Sequence, residues 1–177
     1  MANTTQNKAS SDETESVLAL QGIGWLKRKA IGLATITLTI SEKVVDGVTH
    51  IDISSTATGG IQGTAEHREL DWLERPHEDH VFGSLTGQNK WISNSGADWD
   101  ALDDFQKEGW LDEKAGPNGE THILSSATSK ANGWTAIQLW GFTELNGIRY
   151  YTRKVVITKG SEVLKVRLFY DFQGASA

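Results

Sequence analysis

The apolar residues of this chain recur with two different periods, and the change falls near Ala34. Between Ser16 and Gly32 they follow a helical spacing, which is interrupted by Gly22 and Gly24. Glycine costs about 1 kcal/mol relative to alanine inside a helix, so this pair indicates a break between two short helices. From Ala34 onwards apolar and polar residues alternate, as they do in a strand with one buried face. The pattern therefore predicts a helix-turn-helix followed by sheet.

Alternating segments continue along the rest of the chain and are separated by short turn signals. Asp46-Gly47 and Asn146-Gly147 are typical of two-residue hairpin turns, and "ERPHED" (74–79) has the composition of a longer turn. Successive hairpins without helices between them predict an antiparallel meander, which loses its free edges when it closes on itself. The sequence thus predicts an all-β, antiparallel up-and-down β-barrel of about nine or ten strands, with the helix-turn-helix as a lid.

Two segments depart from this meander. The nearly all-polar start predicts a disordered tail over 1–15, which leaves 16–177 as a single barrel domain. Residues 93–131 are too many for a hairpin turn and are predicted to form an insertion. Its large apolar residues have the spacing of one face of a short helix lying on the barrel: Trp99, Leu102, Phe105 and Trp110. A mobile excursion with a frayed helix is the alternative.

Composition narrows the possible function classes. The chain has no cysteine, which excludes disulfides, thiolate nucleophiles and iron–sulfur clusters. Its formal net charge is −6 with dispersed basic residues, so nucleic acid is not an expected partner. There is neither a signal-peptide pattern nor an apolar run of about 18 residues, so we expect a cytoplasmic protein without stable membrane insertion.

The helical segment and the last strand carry a family resemblance. "ALQGIG" (19–24) approximates an A-L-G-x-G segment, Arg28 and Lys29 follow it, and the final strand reads "VRLFYDF" (166–172). In this order of elements the chain resembles the intracellular lipid-binding proteins, the fatty-acid-binding-protein branch of the lipocalin-like calycin superfamily. The resemblance implies a barrel that encloses a hydrophobic small molecule.

The chain also departs from that family at its two ends. Family members begin with a strand that contains a G-x-W segment, whereas this chain begins with a polar stretch. The family holds a fatty-acid carboxylate with an Arg-x-Tyr pair in the last strand, whereas here Arg167 is followed by Leu168, Phe169 and then Tyr170. In a regular strand Arg167 and Tyr170 face opposite sides, so this pair does not reproduce the family's carboxylate site.

A cavity for a hydrophobic ligand needs apolar walls and a few polar anchors. Seven tryptophans are many for 177 residues, although ordinary core packing explains each of them singly. The residues predicted to line the cavity or its lid are Trp25, His50, Trp72, Trp91, Gln138, Trp140, Tyr150, Arg153, Arg167 and Tyr170. An arginine inside the barrel would need an anionic partner, which a carboxylate or enolate of the ligand supplies. The sequence does not decide which face of the last two strands points into the barrel.

The densest titratable cluster, residues 65–80, offers little specific chemistry. His77, Glu78 and His80 lie around Pro76, where charged side chains are normally solvated, and no spacing fixes a third metal ligand. Glu66 or His67 near the barrel rim would be candidates for acid or base, with a solvated face as the alternative. The sequence therefore predicts no metal and no cofactor, and it identifies no catalytic residue.

Three function hypotheses remain. The first is a binding module that sequesters a lipid, terpenoid or polyketide in the barrel. The second is a cofactor-independent isomerase or cyclase that folds a hydrophobic secondary metabolite in the same cavity. The third is a protein-interaction domain, which would have a filled interior and an exposed apolar patch.

Overall fold

Ten antiparallel strands follow one another around the sheet in the order β4-β3-β2-β1-β10-β9-β8-β7-β6-β5. This computed structural model describes residues 1–175. The strands are β1 (Ala2–Gln6), β2 (Ile36–Val45), β3 (Val48–Ala57), β4 (Ile61–Glu69), β5 (Arg75–Asp79), β6 (Gly83–Ile92), β7 (His122–Ser129), β8 (Trp134–Leu145), β9 (Ile148–Lys159) and β10 (Glu162–Ala175). The helices are α1 (Glu15–Leu20), α2 (Trp25–Leu33), α3 (Ala97–Asp100) and α4 (Asp104–Lys107). The predicted all-β, ten-stranded meander is confirmed.

The hairpin turns have the conformation that their sequences predict. Asp46 and Gly47 have φ values of 49° and 81°, and Asn146 and Gly147 have values of 53° and 76°. Two consecutive positive φ angles define a type I′ turn, whose twist matches that of the two strands it joins. These turns set the registers of β2 with β3 and of β8 with β9.

The barrel is nearly closed, and its gap lies between the two edge strands β4 and β5. The connecting segment crosses this gap by backbone hydrogen bonds: Leu70 N–H donates to Thr49 O, and Trp72 N–H donates to Asn89 O. Trp72 has a φ of 62°, which is unusual for a bulky residue and marks local backbone strain. The prediction that "ERPHED" forms a turn is wrong, because Arg75–Asp79 form strand β5, which pairs with β6.

The polar start of the chain is a strand, so the predicted disordered tail is corrected. Ala2–Gln6 pairs with β2 on one side and with β10 on the other, and so joins the two ends of the meander. Its main-chain groups supply this pairing whatever the side chains are, and only Thr4 is deeply buried, at 4% exposure. A hydrophobic pattern could not signal such a strand.

The insertion is shorter than predicted, because β7 occupies residues 122–129. The remaining part, 93–121, carries α3 and α4 and packs on the outer wall of the barrel. Leu102 is buried, and it shares an outer cluster with Ile92, Leu124 and Leu139 of the wall and with Trp72, Trp99, Trp110 and Ile137.

The lid is built as two helices joined at glycine. Gly22 has a φ of 87°, its N–H donates to Ala19 O, and the N–H of Ile23 donates to Leu18 O. These bonds form a Schellman motif, which ends α1 and explains the glycine. Helix α1 buries Val17 and Leu20 over the barrel, whereas α2 contributes no buried residue. None of the helices within residues 1–175 has both the length and the apolar character needed to cross a membrane.

Alternate strand residues point into the barrel, and two apolar clusters occupy the interior. The lid cluster joins α1 to inward residues of several strands: Val17, Leu20, Trp134, Ala136, Val155, Ile157 and Val166. The deep cluster joins both halves of the sheet: Leu38, Ile51, Ile53, Leu70, Trp140 and Tyr170, with Trp91 and Tyr151 against it. Because β2 and β3 meet β6, β7 and β8 in the deep cluster, these side chains define the inside.

Candidate ligand site in the barrel interior

A group of polar side chains lies among these apolar walls. Arg153 of β9 is paired with Trp140 of β8 and with Leu168 of β10, so it shares their inward orientation. Arg68 and Glu66 of β4 are paired with Ile51 and Ile53, which are both inward and buried. Strand register thus places two guanidinium groups and one carboxylate on the inner surface.

Arg153 is the most deeply buried of these charged groups, at 8% exposure. Its guanidinium carbon lies 4.1 Å from the centre of the Trp140 ring, and its Nε donates to the Tyr151 hydroxyl at 2.9 Å. Within residues 1–175, its Nη2 is buried and finds no hydrogen-bond partner. A buried donor without an acceptor costs about 1–3 kcal/mol, so this atom is suited to a ligand that brings an acceptor.

Arg68 spans the interior from β4 towards the opposite wall. Its Nη1 donates to Asn89 Oδ1 and to Ser125 Oγ, both at 2.9 Å. Its Nε and Nη2 bind the Glu66 carboxylate, and its guanidinium carbon lies 4.8 Å from the Trp140 ring centre. Both guanidiniums therefore stack on one indole, and Arg68 is fixed by hydrogen bonds on all sides.

The electrostatics of the group leave an excess of positive charge. Burial by itself would raise the pKa of Glu66, but Arg68 and Arg153 outweigh it and hold that pKa below its usual range. Burial opposes the charge on Arg153, yet Tyr151, Tyr170 and Glu66 outweigh it and raise the Arg153 pKa. Both arginines are cationic and the single carboxylate is ionised, so these three groups carry a net charge of about +1.

The two inward tyrosines remain neutral donors. Burial is the main cause that raises the pKa of Tyr151 and that of Tyr170 above the usual value of 10.0. Their rings lie 5.4 Å apart and flank the Arg153 guanidinium. The site therefore combines a cationic fork with phenol hydroxyls in apolar surroundings, a set suited to an electron-rich oxygen of an otherwise hydrophobic molecule.

Half of the predicted site residues meet in this interior. Trp91, Gln138, Trp140, Arg153 and Tyr170 are inward, and they are linked by the deep cluster or by hydrogen bonds. The Trp140 Nε1 donates to Gln138 Oε1 at 3.0 Å, and the Trp91 Nε1 donates to Thr49 Oγ1 at 3.0 Å.

The other predicted residues lie elsewhere, and their placement in the cavity wall is corrected. His50 is outward because its neighbours Ile51 and Thr49 point in. Tyr150 packs on outward Phe169, with ring centres 5.4 Å apart. Arg167 is outward because the apolar face of β10 turned inward and opposes Val155 and Arg153.

The two remaining tryptophans are also outside the interior. Trp72 belongs to the outer cluster and stacks with Lys90, whose Nζ lies 4.3 Å from its ring centre. Trp25 lies on α2 and is 62% exposed. Its place at the lid agrees with the prediction, but it does not contact the interior group.

Four members of the polar group were not among the residues predicted to line the cavity, namely Arg68, Asn89, Ser125 and Tyr151, and Glu66 was predicted at the rim. A signal for Tyr151 was available, because it shares parity with Arg153 along β9 and Tyr150 does not. Arg68 and Glu66 were hidden by the charged composition of residues 65–80, which resembles a solvated face.

Two concave sites accompany this group. One, of about 350 Å³, lies at the lid and is lined by Gly22–Lys27 and by Val81 of the β5–β6 turn. The other, of about 300 Å³, lies against β2–β4 and is lined by residues of both strand faces, among them Thr39, Asp52, His67 and Glu66 of the interior group. Arg68, Trp140 and Arg153 line neither of them, so a guest between these side chains would displace or reorient some of them.

The insertion holds a separate set of buried polar groups on the outer wall. His122 stacks on Trp99 with ring centres 5.3 Å apart, and burial lowers its pKa to about 4. Burial, reinforced by Arg167, lowers the pKa of Lys154 to about 8, and its Nζ donates to Phe105 O at 3.1 Å. These contacts fasten the insertion to the barrel.

Comparison with known proteins gives two sequence relatives and one fold. The chain is 30% identical over 168 residues to the probable pericyclase scpY of Mollisia scopiformis, covering 92% of this chain and 84% of that protein. It is 27% identical over 168 residues to the pericyclase pydY of an Acremonium species, covering 94% and 87%. No family model matches.

Among solved structures, the chain resembles a Schistosoma mansoni fatty-acid-binding protein that was determined in complex with arachidonic acid. The TM-score is 0.58 at 12% identity, and the match covers 98% of this chain and 96% of that one. This likeness confirms the predicted fold, a calycin barrel of the fatty-acid-binding-protein type.

Proposed function

Because this chain belongs to the family of the probable pericyclase scpY and the pericyclase pydY, we propose that it is itself a pericyclase, a cofactor-independent enzyme that closes a ring in a hydrophobic, conjugated substrate held inside the barrel. The second of the three function hypotheses, a cofactor-independent isomerase or cyclase, thereby becomes the favoured one.

A pericyclic ring closure makes modest demands on a protein. Bonds form and break in one cyclic transition state, so no covalent intermediate is needed. Two effects lower the barrier: holding a flexible chain in the reactive conformation, and hydrogen bonding to a carbonyl that is conjugated with the reacting double bonds. The first needs shaped apolar walls, and the second needs a fixed donor in dry surroundings.

The observation that carries the proposal is the Nη2 of Arg153, which is buried and has no hydrogen-bond partner in the described part of the chain. Stacking on Trp140 and the bond from Nε to Tyr151 fix the plane of the guanidinium, so the free N–H has a defined direction. In low-dielectric surroundings a donor that is already oriented costs no reorganisation when charge develops on an acceptor oxygen. We assign Arg153 the role of binding and polarising the substrate carbonyl.

Arg68 is a positioning residue in this proposal. Its bonds to Glu66, Asn89 and Ser125 hold it against the Trp140 ring that also carries Arg153. Glu66 offsets one of the two positive charges and leaves the other for the substrate. The lid cluster and the deep cluster supply the apolar surfaces against which the polyene part of the substrate folds.

A hydrophobic-ligand carrier is the second candidate, and one observation favours it. Arg153 with Tyr151 and Tyr170 offers a carboxylate the same types of group that the Arg-x-Tyr pair would have supplied, now on β9 and β10. A carrier and a pericyclase would bind similar molecules in the same place. They differ in whether the bound molecule changes.

The test uses the natural substrate without naming it in advance. Inactivating the gene in its source organism should cause an uncyclised polyene to accumulate. Adding purified protein to that compound, without metal or cofactor, should give a product of identical mass and different retention time. Binding without conversion, observed as Trp fluorescence quenching with an unchanged chromatogram, would favour the carrier and contradict the pericyclase.

A further inference from the structure

A cluster of metal-ligating side chains lies on the outer face of β3 and β4, away from the interior group. His50 is paired with Glu69, and Asp52 is paired with His67, so the four side chains form a square on one surface. Within residues 1–175, ligand atoms of His50, His67 and Glu69 lie within 4.8 Å of one another. We propose that these three residues bind a divalent transition-metal ion of the Zn²⁺ type.

The spacing of the donors supports a four-coordinate ion. His50 Nδ1 lies 3.3 Å from His67 Nε2, and His67 Nε2 lies 3.5 Å from Glu69 Oε1. Ligand distances of about 2.0–2.2 Å in a tetrahedron place neighbouring ligands about 3.3 to 3.5 Å apart. Two edges of the cluster already have this length, and the ligand atoms on the third lie within 4.8 Å of each other.

Neighbouring groups orient two of the three ligands, His67 and Glu69. Asp52 Oδ1 lies 2.5 Å from His67 Nδ1, so His67 donates there and presents the lone pair of Nε2 to the metal. A carboxylate behind a ligating histidine is the usual support of zinc sites. Arg75 holds Glu69 Oε2 at 2.6 Å and leaves Oε1 free, and Lys43 lies 3.4 Å from Asp52 Oδ2.

The donor set selects the class of ion. Two imidazoles and one carboxylate suit Zn²⁺ and its transition-metal neighbours, whereas Mg²⁺ prefers an oxygen shell. The side chains are accessible, since those of His67 and Asp52 are 46% exposed. A fourth position faces solvent, and water would complete the coordination.

The proposed metal site lies next to the gap between the edge strands β4 and β5. Glu69 is the last residue of β4, and through Arg75 it ties this edge strand to β5 on the other side of the opening. An ion bound by His50, His67 and Glu69 would fasten β4 to β3 next to that opening. This role is independent of the chemistry at Arg153.

Isothermal titration of the full chain with Zn²⁺ tests the proposal, and His80→Ala in the β5–β6 turn is the matched control. We expect one equivalent of Zn²⁺ to bind both the unaltered protein and His80→Ala. Mg²⁺ should not bind to either protein. Asp52→Asn, which keeps all three ligands, should weaken binding about 10- to 100-fold, and His50→Ala and His67→Ala should weaken it further. Circular dichroism checks that each variant is folded.

Co²⁺ in place of Zn²⁺ gives a second measurement, because four-coordinate Co²⁺ absorbs visible light strongly and hexaaqua Co²⁺ weakly. The strong bands should be present in the unaltered protein and absent from His67→Ala. The proposal is overturned if Zn²⁺ does not bind, or if His80→Ala weakens binding as much as His50→Ala does.

Discussion

The Arg153 guanidinium carbon lies 4.1 Å from the centre of the Trp140 ring, and the two residues are direct partners in the ladder between β9 and β8. This register holds a buried cation over an indole, while its Nη2 has no hydrogen-bond partner among residues 1–175. A folded protein without a ligand gains little from such an arrangement. The pair is therefore better explained by binding than by stability.

Removing the cation should stabilise the fold. Arg153→Met keeps an unbranched apolar chain over Trp140 and removes an unsatisfied buried donor, so we expect the free energy of unfolding to rise by about 1–2 kcal/mol. Urea denaturation followed by Trp fluorescence measures this. Arg167→Met, one strand away and outward, should change stability by less than about 0.5 kcal/mol. A loss of 2 kcal/mol in Arg153→Met would show that Arg153 serves the fold.

Trp140 should matter for the site beyond its volume. Trp140→Phe keeps an aromatic face but shrinks the platform under Arg68 and Arg153, so we expect turnover of the bound substrate to fall by about tenfold. The matched control is Trp25→Phe on α2, which is 62% exposed and does not contact the interior group. Equal effects of the two substitutions on kcat would argue against a platform role.

Acid should weaken the protein through His122. Its folded pKa is about 4 and the ordinary pKa of histidine is 6.5, so between these values the unfolded chain binds the proton and the folded chain does not. The stability contributed by neutral His122 is complete above pH 6.5 and is lost as pH falls towards 4.

Between pH 7 and pH 4 the free energy of unfolding of His122→Asn should therefore fall by about 2–3 kcal/mol less than that of the unaltered protein. Urea unfolding at the two pH values measures this difference, and other titrating groups cancel in the comparison. An unchanged dependence in His122→Asn would contradict the assignment.

The N-terminal strand should respond to substitution as part of the barrel. The Oγ1 of Thr4 is buried and without a partner within the described chain, so Thr4→Val should be neutral or stabilising by up to about 1 kcal/mol. Thr4→Asp should destabilise by about 3 kcal/mol, because it buries a charge beside Leu38. Thermal unfolding measures both. A disordered tail would tolerate Thr4→Asp without effect.

Sequence predicted those elements whose signal is carried by side chains. The alternation in Ile36–Val45 and the turn Asp46-Gly47 fixed β2, β3 and their register, and Gly22 located the break between the lid helices. The strands β1 and β5 were missed because main-chain pairing at a closing seam or at an edge needs no apolar pattern.

The interior site was harder to predict, because it depends on which face of each strand turns inward. On β10 the apolar face points into the barrel, so Arg167 lies on the outer face. On β4 the reverse holds, since charged Arg68 and Glu66 are inward and are stabilised by partners on strands far away in sequence. Parity within one strand cannot reveal such partners.

The most direct measurement of the central claim is the first-order rate at which the accumulated polyene is converted to a product of identical mass. The rate is measured with enzyme in excess for the unaltered protein, Arg153→Met and Arg167→Met. Loss of one oriented donor to a developing charge should slow conversion by about 100-fold or more in Arg153→Met. Arg167→Met should match the unaltered protein. Equal rates in all three proteins would contradict the role of Arg153 in catalysis.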